Sequence, residues 1–167
     1  MAGNERFASG RSLHRNLPAQ VKLTAGGQHP VAAIVSCIDS RTSSELVFDQ
    51  GMGDIFNARV AGNVINDDIL GSLEFATSAA GAKLVLVVGH TRCGAVSGAC
   101  KRVELGHLTG LLAKIRPAAA RAKVSGAGTA GPGFEDAVAA ENVRLSVAQI
   151  RKQSTILQTL ESQGKIR

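Results

Sequence analysis

Aromatic side chains are scarce in this chain of 167 residues, which has five Phe, no Trp and no Tyr. Proteins that grip single-stranded nucleic acid usually stack the bases on such rings, so this mode of binding is disfavoured. The net charge of +6 does not alter that view, because the 19 Lys and Arg residues are scattered and never form a run longer than two. We therefore expect no nucleic-acid partner.

Long apolar segments are missing as well. No stretch approaches the roughly 18 apolar residues of a membrane-spanning helix, and the opening segment MAGNERFASG lacks the apolar core of a secretory signal. The sequence thus predicts a cytoplasmic protein with no membrane partner. Three cysteines are too few for a disulfide framework, so metal binding or packing has to account for them.

Apolar runs alternate with amphipathic segments along the chain. The runs 31–38 and 84–88 are apolar enough for strands buried on both faces of a parallel sheet, and 54–60 is a third strand candidate. Helical patterns lie between them, and one long amphipathic helix is predicted over 135–161. The fold class is therefore α/β, a single domain over 1–167 with a mainly parallel central sheet of four to five strands flanked by helices.

Residues able to bind a metal follow two of these predicted strands. The segment CIDSR (37–41) begins at the end of the first run, and HTRCG (90–94) follows the run at 84–88. Because the carboxyl ends of parallel strands meet at one edge of the sheet, both segments are expected at the edge where α/β proteins place function. Cys37, His90 and Cys93 are the ligand types that suit Zn²⁺, and three protein ligands leave a fourth position for water or for Asp39.

The residues after Cys37 bear on that fourth position. Arg41 is placed to pair with Asp39 through charge-assisted, bidentate hydrogen bonds. While the pair holds, Asp39 stays off the metal and accepts a hydrogen bond from a metal-bound water that is becoming a nucleophile. The backbone N–H of Gly94, at a predicted helix start, is available for a developing oxyanion.

Each of these residues could also have a purely structural role. A single cysteine is more often a small buried apolar residue than a ligand, and a structural zinc is the next alternative. Structural sites usually draw on four Cys or His ligands, whereas this chain offers three in a suitable context. The sequence therefore favours an open zinc site with hydrolytic or hydration chemistry.

The two motifs resemble the signature motifs of the β-class carbonic anhydrases, zinc enzymes that interconvert CO₂ and bicarbonate. Other segments of the chain match the same family in type and order. They are GNERF (3–7), GQHP (27–30), FDQG (48–51), RVAGN (59–63) and GSLEFA (71–76). Each match alone is weak, but the ordered set is specific and extends over nearly the whole chain.

The resemblance implies one zinc per chain, bound by Cys37, His90 and Cys93, and attack of zinc-bound hydroxide on CO₂ with Asp39 and Arg41 as the catalytic dyad. It also implies a homodimer or homotetramer with its active sites at the subunit interface. Substrate-binding residues are then Gln28, Phe56 and Gly94, and the first two match positions that reach the pocket from across that interface.

The resemblance has further consequences for regulation and for the ends of the chain. A subset of the family has a regulatory bicarbonate site that uses a Trp where this chain has Ile34, so that regulation is not expected even though Arg59 resembles another of its residues. Family members usually have additional N-terminal helical sequence, and they continue past the equivalent of 164–166 into a final strand. The domain is therefore expected to be shortened at both ends, with a sheet edge left exposed.

Two other functions stay open at the level of sequence. The same zinc site could hydrolyse a related small substrate such as carbon disulfide or carbonyl sulfide. Alternatively, the chain could be a catalytically silent, zinc-stabilised interaction protein. The presence of both Asp39 and Arg41 argues against a silent role, because a purely structural site has no use for that dyad.

Overall fold

A three-stranded parallel sheet in the order β2-β1-β3 lies at the centre of the computed structural model, which describes residues 2–167. The strands are β1 (Ala32–Ser36), β2 (Ile55–Arg59) and β3 (Leu84–Val88). Strand β1 is buried along its whole length, as expected for the central strand of a sheet covered on both faces. Ser36 lies opposite Arg59 on one side and Val88 on the other, so the carboxyl ends of all three strands are level.

The predicted α/β class and parallel central sheet are confirmed. Residues 2–167 form three strands, fewer than the four to five expected. At the free edge of β3, Arg167 donates its N–H to the carbonyl of Lys83 and accepts from the N–H of Val85. The backbone of Arg167 therefore occupies the place that the next parallel strand would take.

Nine helices surround the sheet in the part of the chain from residue 2 onward. They are α1 (Ala2–Ala8), α2 (Leu17–Thr24), α3 (Ser44–Val47), α4 (Asp67–Glu74), α5 (Gly94–Cys100), α6 (Gly106–Ala113), α7 (Arg116–Val124), α8 (Pro132–Gln153) and α9 (Thr155–Ser162). A 3₁₀ turn at Ala61–Asn63 follows β2, and a π-helical turn at Phe75–Ala79 extends α4. Among the described residues, no helix is both long and apolar enough to cross a bilayer.

The prediction of one continuous helix over 135–161 is wrong, because the chain breaks at Ser154. The Ser154 hydroxyl accepts a hydrogen bond from the N–H of Leu157, which caps α9, and donates to the Glu74 carboxylate at 2.6 Å. A Ser that satisfies the N-terminus of a new helix stabilises the break. The amphipathic pattern continues across the break at Ser154, because Ile150 of α8 and Leu157 of α9 pack in the same apolar cluster.

Two apolar clusters hold the layers together. One covers Ala33 and Val35 of β1 with residues of α4, α8 and α9. The other joins α5, α6, α7 and α8 and contains Cys37 and Cys93. The two cysteines therefore lie where the second cluster meets the carboxyl edge of the sheet.

Candidate metal centre

Three metal-binding side chains are brought together by the ends of β1 and β3. Cys37 follows the last residue of β1 directly, and His90 lies two residues beyond β3. Cys93 is the N-cap residue of α5. The strands end at the same level, and only a short segment joins His90 to α5. The three side chains therefore lie together at the carboxyl edge of the sheet. Cys37 and Cys93 are 5% and 4% exposed, so no bulk water surrounds either sulfur.

The spacing of the donor atoms matches a tetrahedral site. The two Sγ atoms are 3.9 Å apart, and the ligand atoms of Cys37, His90 and Cys93 all lie within 4.8 Å of one another. Zinc with Zn–S bonds of about 2.3 Å would separate two tetrahedral sulfur ligands by about 3.8 Å. This is the one cluster of three or more potential metal ligands found among residues 2–167.

His90 supplies an independent indication of a metal. Its Nδ1 lies 2.9 Å from the carbonyl oxygen of Thr91, whereas its buried Nε2 has no hydrogen-bond partner among the described residues. A metal-bound imidazole commonly donates its other N–H to a backbone carbonyl, which fixes the tautomer and turns the free lone pair to the metal. A buried lone pair beside two thiols is a donor set that zinc fits.

Ionisation of one of the two thiols disfavours ionisation of the other. Hydrogen bonds from Cys93 and from the N–H of Gly62 hold the pKa of Cys37 well below its usual value, although burial raises it. The pKa of Cys93 is raised, first by its hydrogen bond to Cys37 and then by burial. The pair thus favours one shared proton and one thiolate, and binding of a divalent cation would displace that proton.

Asp39 and Arg41 form a bidentate ion pair next to the ligands. The guanidinium Nε and Nη2 lie 2.9 and 2.7 Å from the two carboxylate oxygens, and the Arg41 backbone N–H donates to the same carboxylate. These hydrogen bonds from Arg41 hold the pKa of Asp39 well below its ordinary range. Oδ2 of Asp39 is 3.9 Å from Nε2 of His90. The ionised carboxylate of Asp39 therefore lies beside the three metal-binding side chains, and Arg41 holds it in place.

Arg59 also supports this segment, in a role that the sequence did not reveal. Its Nε donates to the carbonyl of Cys37 at 2.9 Å and its Nη2 to the carbonyl of Asp39 at 2.6 Å. It can reach both because β2 pairs with β1 and ends beside it. The segment that carries one ligand and the dyad is thus tied to the neighbouring strand. The sequence gives no signal for this contact, since it does not say which strand lies next to β1.

A small, mostly apolar pocket lies beside the metal centre, and Cys37 is the one ligand of the three that lines it. Its volume is about 350 Å³, and Cys37, Asp39 and Gly94 line one side of it. The remaining walls are mostly apolar and come from Ile38, Ala61, Ala95, Gly98, Val103, Leu108 and Leu112. Such a pocket suits a small uncharged molecule and offers few polar partners to ordered water.

The other two predicted substrate-binding residues lie away from this pocket in the single chain. Gln28 is exposed in the loop before β1. Phe56 lines a separate groove of about 690 Å³, where its ring meets that of Phe75 edge to face with centroids 6.1 Å apart. Their contact with substrate was expected from across a subunit interface and stays a prediction.

The sequence of this chain is similar to the sequences of known carbonic anhydrases. The family model described as carbonic anhydrase matches residues 32–167. Carbonic anhydrase 2 of Mycobacterium tuberculosis (strain H37Rv) is 44% identical over 109 residues, which cover 65% of this chain and 53% of that protein. The carbonic anhydrase of Mycolicibacterium smegmatis is 35% identical over 158 residues, covering 93% and 76% of the two chains. This chain therefore spans about half the length of the first relative and three quarters of the second.

Solved structures show the same architecture. The β-carbonic anhydrase CafA of Aspergillus fumigatus superposes with a TM-score of 0.80 at 27% identity, covering 99% of this chain and 80% of that one. The β-carbonic anhydrase CcaA gives a TM-score of 0.82 at 22% identity, with 99% and 77% covered. At 22% identity, the similarity to CcaA supports the fold alone.

Proposed function

This chain belongs to the β-class carbonic anhydrase family, and on that premise we propose that it catalyses the reversible hydration of CO₂ to bicarbonate and a proton. The observation that carries the proposal is the donor set of two thiols and an unpartnered imidazole nitrogen, beside an apolar pocket that Cys37 and Asp39 line. The ionised Asp39 at that pocket supplies the acceptor that a hydration reaction needs.

Cys37, His90 and Cys93 would hold one zinc ion per chain. When bound there, zinc supplies the electrostatic stabilisation that makes water a nucleophile near neutral pH. Two thiolates offset the charge of the cation, so the acidifying effect is weaker than with three neutral imidazoles. The proton acceptor beside the metal therefore matters more in this site.

Asp39 and Arg41 would act together on the attacking water. The Asp39 carboxylate accepts a hydrogen bond from the water and so turns a lone pair towards the carbon of CO₂. Arg41 keeps both carboxylate oxygens engaged, which prevents Asp39 from moving onto the metal. The proton released by the reaction then passes to buffer.

The pocket would bind CO₂ by its apolar walls. CO₂ has no net charge or dipole, so walls such as Val103, Leu108 and Leu112 can receive it without a lost hydrogen bond. The N–H of Gly94, in the first turn of α5 where backbone donors lack helical partners, would stabilise the oxygen that gains negative charge.

We also propose a homodimer or homotetramer in which Gln28 and Phe56 reach the pocket of a neighbouring subunit. The groove beside Phe56 supports this assembly, because it is large and the Phe75 ring in it is 57% exposed. The proposed location is the cytoplasm, where Cys100, the cysteine outside the ligand set, would stay reduced.

The test is stopped-flow CO₂ hydration by protein whose zinc content has been measured. We expect a rate proportional to bound zinc and a large loss in D39A, because the attacking water would lose its acceptor. E161A is the matched control, since Glu161 also forms a bidentate ion pair, with Arg151, but does not line the pocket. Turnover of carbon disulfide or carbonyl sulfide without CO₂ hydration would replace the proposed substrate, and full activity of D39A would reject the role of Asp39.

A further inference from the structure

One of the two thiols receives a hydrogen bond from a distant backbone group. The N–H of Gly62 donates to Sγ of Cys37 at 3.3 Å. Gly62 is the middle residue of the 3₁₀ turn at Ala61–Asn63, which lies between β2 and α4. The donor thus comes from a part of the chain 25 residues beyond the ligand.

The position of Gly62 leaves no room for a side chain. Its φ of +66° lies in the left-handed region, and a Cβ there would come within 2.5 Å of Cδ1 of Ile115 and 3.2 Å of Cβ of Ala95. The next residue, Asn63, is also left-handed, with φ of +44°. Gly62 adopts this conformation without steric cost, whereas Asn63 costs conformational energy unless the surroundings hold it.

Helix α8 provides that support through two buried polar side chains. Asn142 donates from Nδ2 to the carbonyl of Gly62 at 2.7 Å, and Ser146 donates from Oγ to the carbonyl of Asn63 at 3.2 Å. The two residues are 4% and 3% exposed and lie one helical turn apart. Of the two, only Asn142 bonds to the residue whose N–H meets Cys37.

A hydrogen bond to a thiolate ligand changes the metal that the thiolate binds. It withdraws electron density from sulfur and fixes the direction of its lone pairs, so it tunes metal affinity and electronic structure. For Cys93 the supporting N–H groups are local, from Ala95 and Val96 at the start of α5. Cys37 receives one local N–H, from Asp39, and in addition the N–H of Gly62, which belongs to a turn that α8 holds in place.

We propose that Asn142 is a positioning residue of the metal centre: through the Gly62 carbonyl it holds the turn so that the Gly62 N–H is directed at Sγ of Cys37. This inference rests on the proposed zinc site but not on the identity of the substrate. The rival interpretation gives Asn142 only a packing role, in which it satisfies a buried carbonyl and joins α8 to the turn, as Ser146 does.

Cobalt substitution distinguishes the two interpretations without any assay of turnover. Co²⁺ bound to thiolate shows a sulfur-to-metal charge-transfer band, whose energy falls when a hydrogen bond to the sulfur is lost. In N142A we expect this band to move to longer wavelength and the cobalt dissociation constant to rise about tenfold, the lower end of the effect of losing an outer-shell partner. S146A is the matched control and should leave the band in place.

Each outcome bears on the proposal. An unchanged band in N142A, or an equal shift in N142A and S146A, would overturn it. If N142A does not fold, N142L removes the donor while keeping the branched shape of the side chain, and the same band is measured. A parent protein that binds no cobalt would overturn the metal centre as well, whereas cobalt binding with an unchanged N142A spectrum overturns this inference alone.

Discussion

Replacing Cys93 with Ser is expected to remove zinc from the protein and to abolish CO₂ hydration. A Ser hydroxyl stays protonated at neutral pH and cannot replace the thiolate that ligation requires. The loss should exceed the roughly 10–100-fold drop in affinity that follows removal of an outer-shell partner. Zinc per chain, measured by elemental analysis after exhaustive dialysis, should fall from about one in the parent to near zero in the variant.

The fold should survive this change, because Cys93 is the N-cap of α5 and Ser is among the best N-cap residues. C100S is the matched control. Cys100 lies at the other end of α5, is half-buried and takes no part in the ligand cluster, so this variant should keep its zinc. Equal zinc in C93S and the parent would show that Cys93 is not a ligand.

Replacing Arg41 with Ala is expected to abolish activity while zinc stays bound. The Arg41 side chain is 64% exposed, so its removal costs little packing. Asp39 would then lose the two side-chain hydrogen bonds that hold its carboxylate, and it could turn to the metal and fill the open position. We expect the rate of CO₂ hydration to fall by about 10²-fold or more, the usual scale for loss of a positioned acid–base group.

The remote pair of Arg151 and Glu161 provides the control for R41A. It has the same bidentate form, with Nε and Oε2 2.9 Å apart, and Arg151 is 60% exposed. R151A should therefore keep full activity, since surface ion pairs contribute little on their own. If R41A hydrated CO₂ as fast as the parent with the same zinc content, Arg41 would have no part in keeping the site open.

The three metal ligands of the candidate site could be predicted, because the end of a strand is visible in the sequence as the end of an apolar run. An apolar run whose end contains Cys37, and a second that ends just before His90, place both residues at the carboxyl edge of a parallel sheet. The α/β class follows from the same alternation of strands and helices. The chemistry then follows from the residue types at those two ends.

Other features depend on which elements become neighbours in space, and no local pattern encodes that. Arg59 reaches the segment after β1 only because β2 lies beside it. Asn142 meets Gly62 only because α8 crosses the turn after β2, 80 positions away along the chain. The break at Ser154 was missed because apolar residues on both sides of it face the same cluster, which preserves the helical period.

The coordination shell of the metal tests the central claim most directly. We predict that X-ray absorption at the zinc edge of the parent protein, loaded with about one zinc per chain, will give two sulfur ligands at about 2.3 Å, one imidazole nitrogen and one further light-atom ligand. A shell with fewer than two sulfurs, or a closed shell of four Cys and His ligands, would contradict the account.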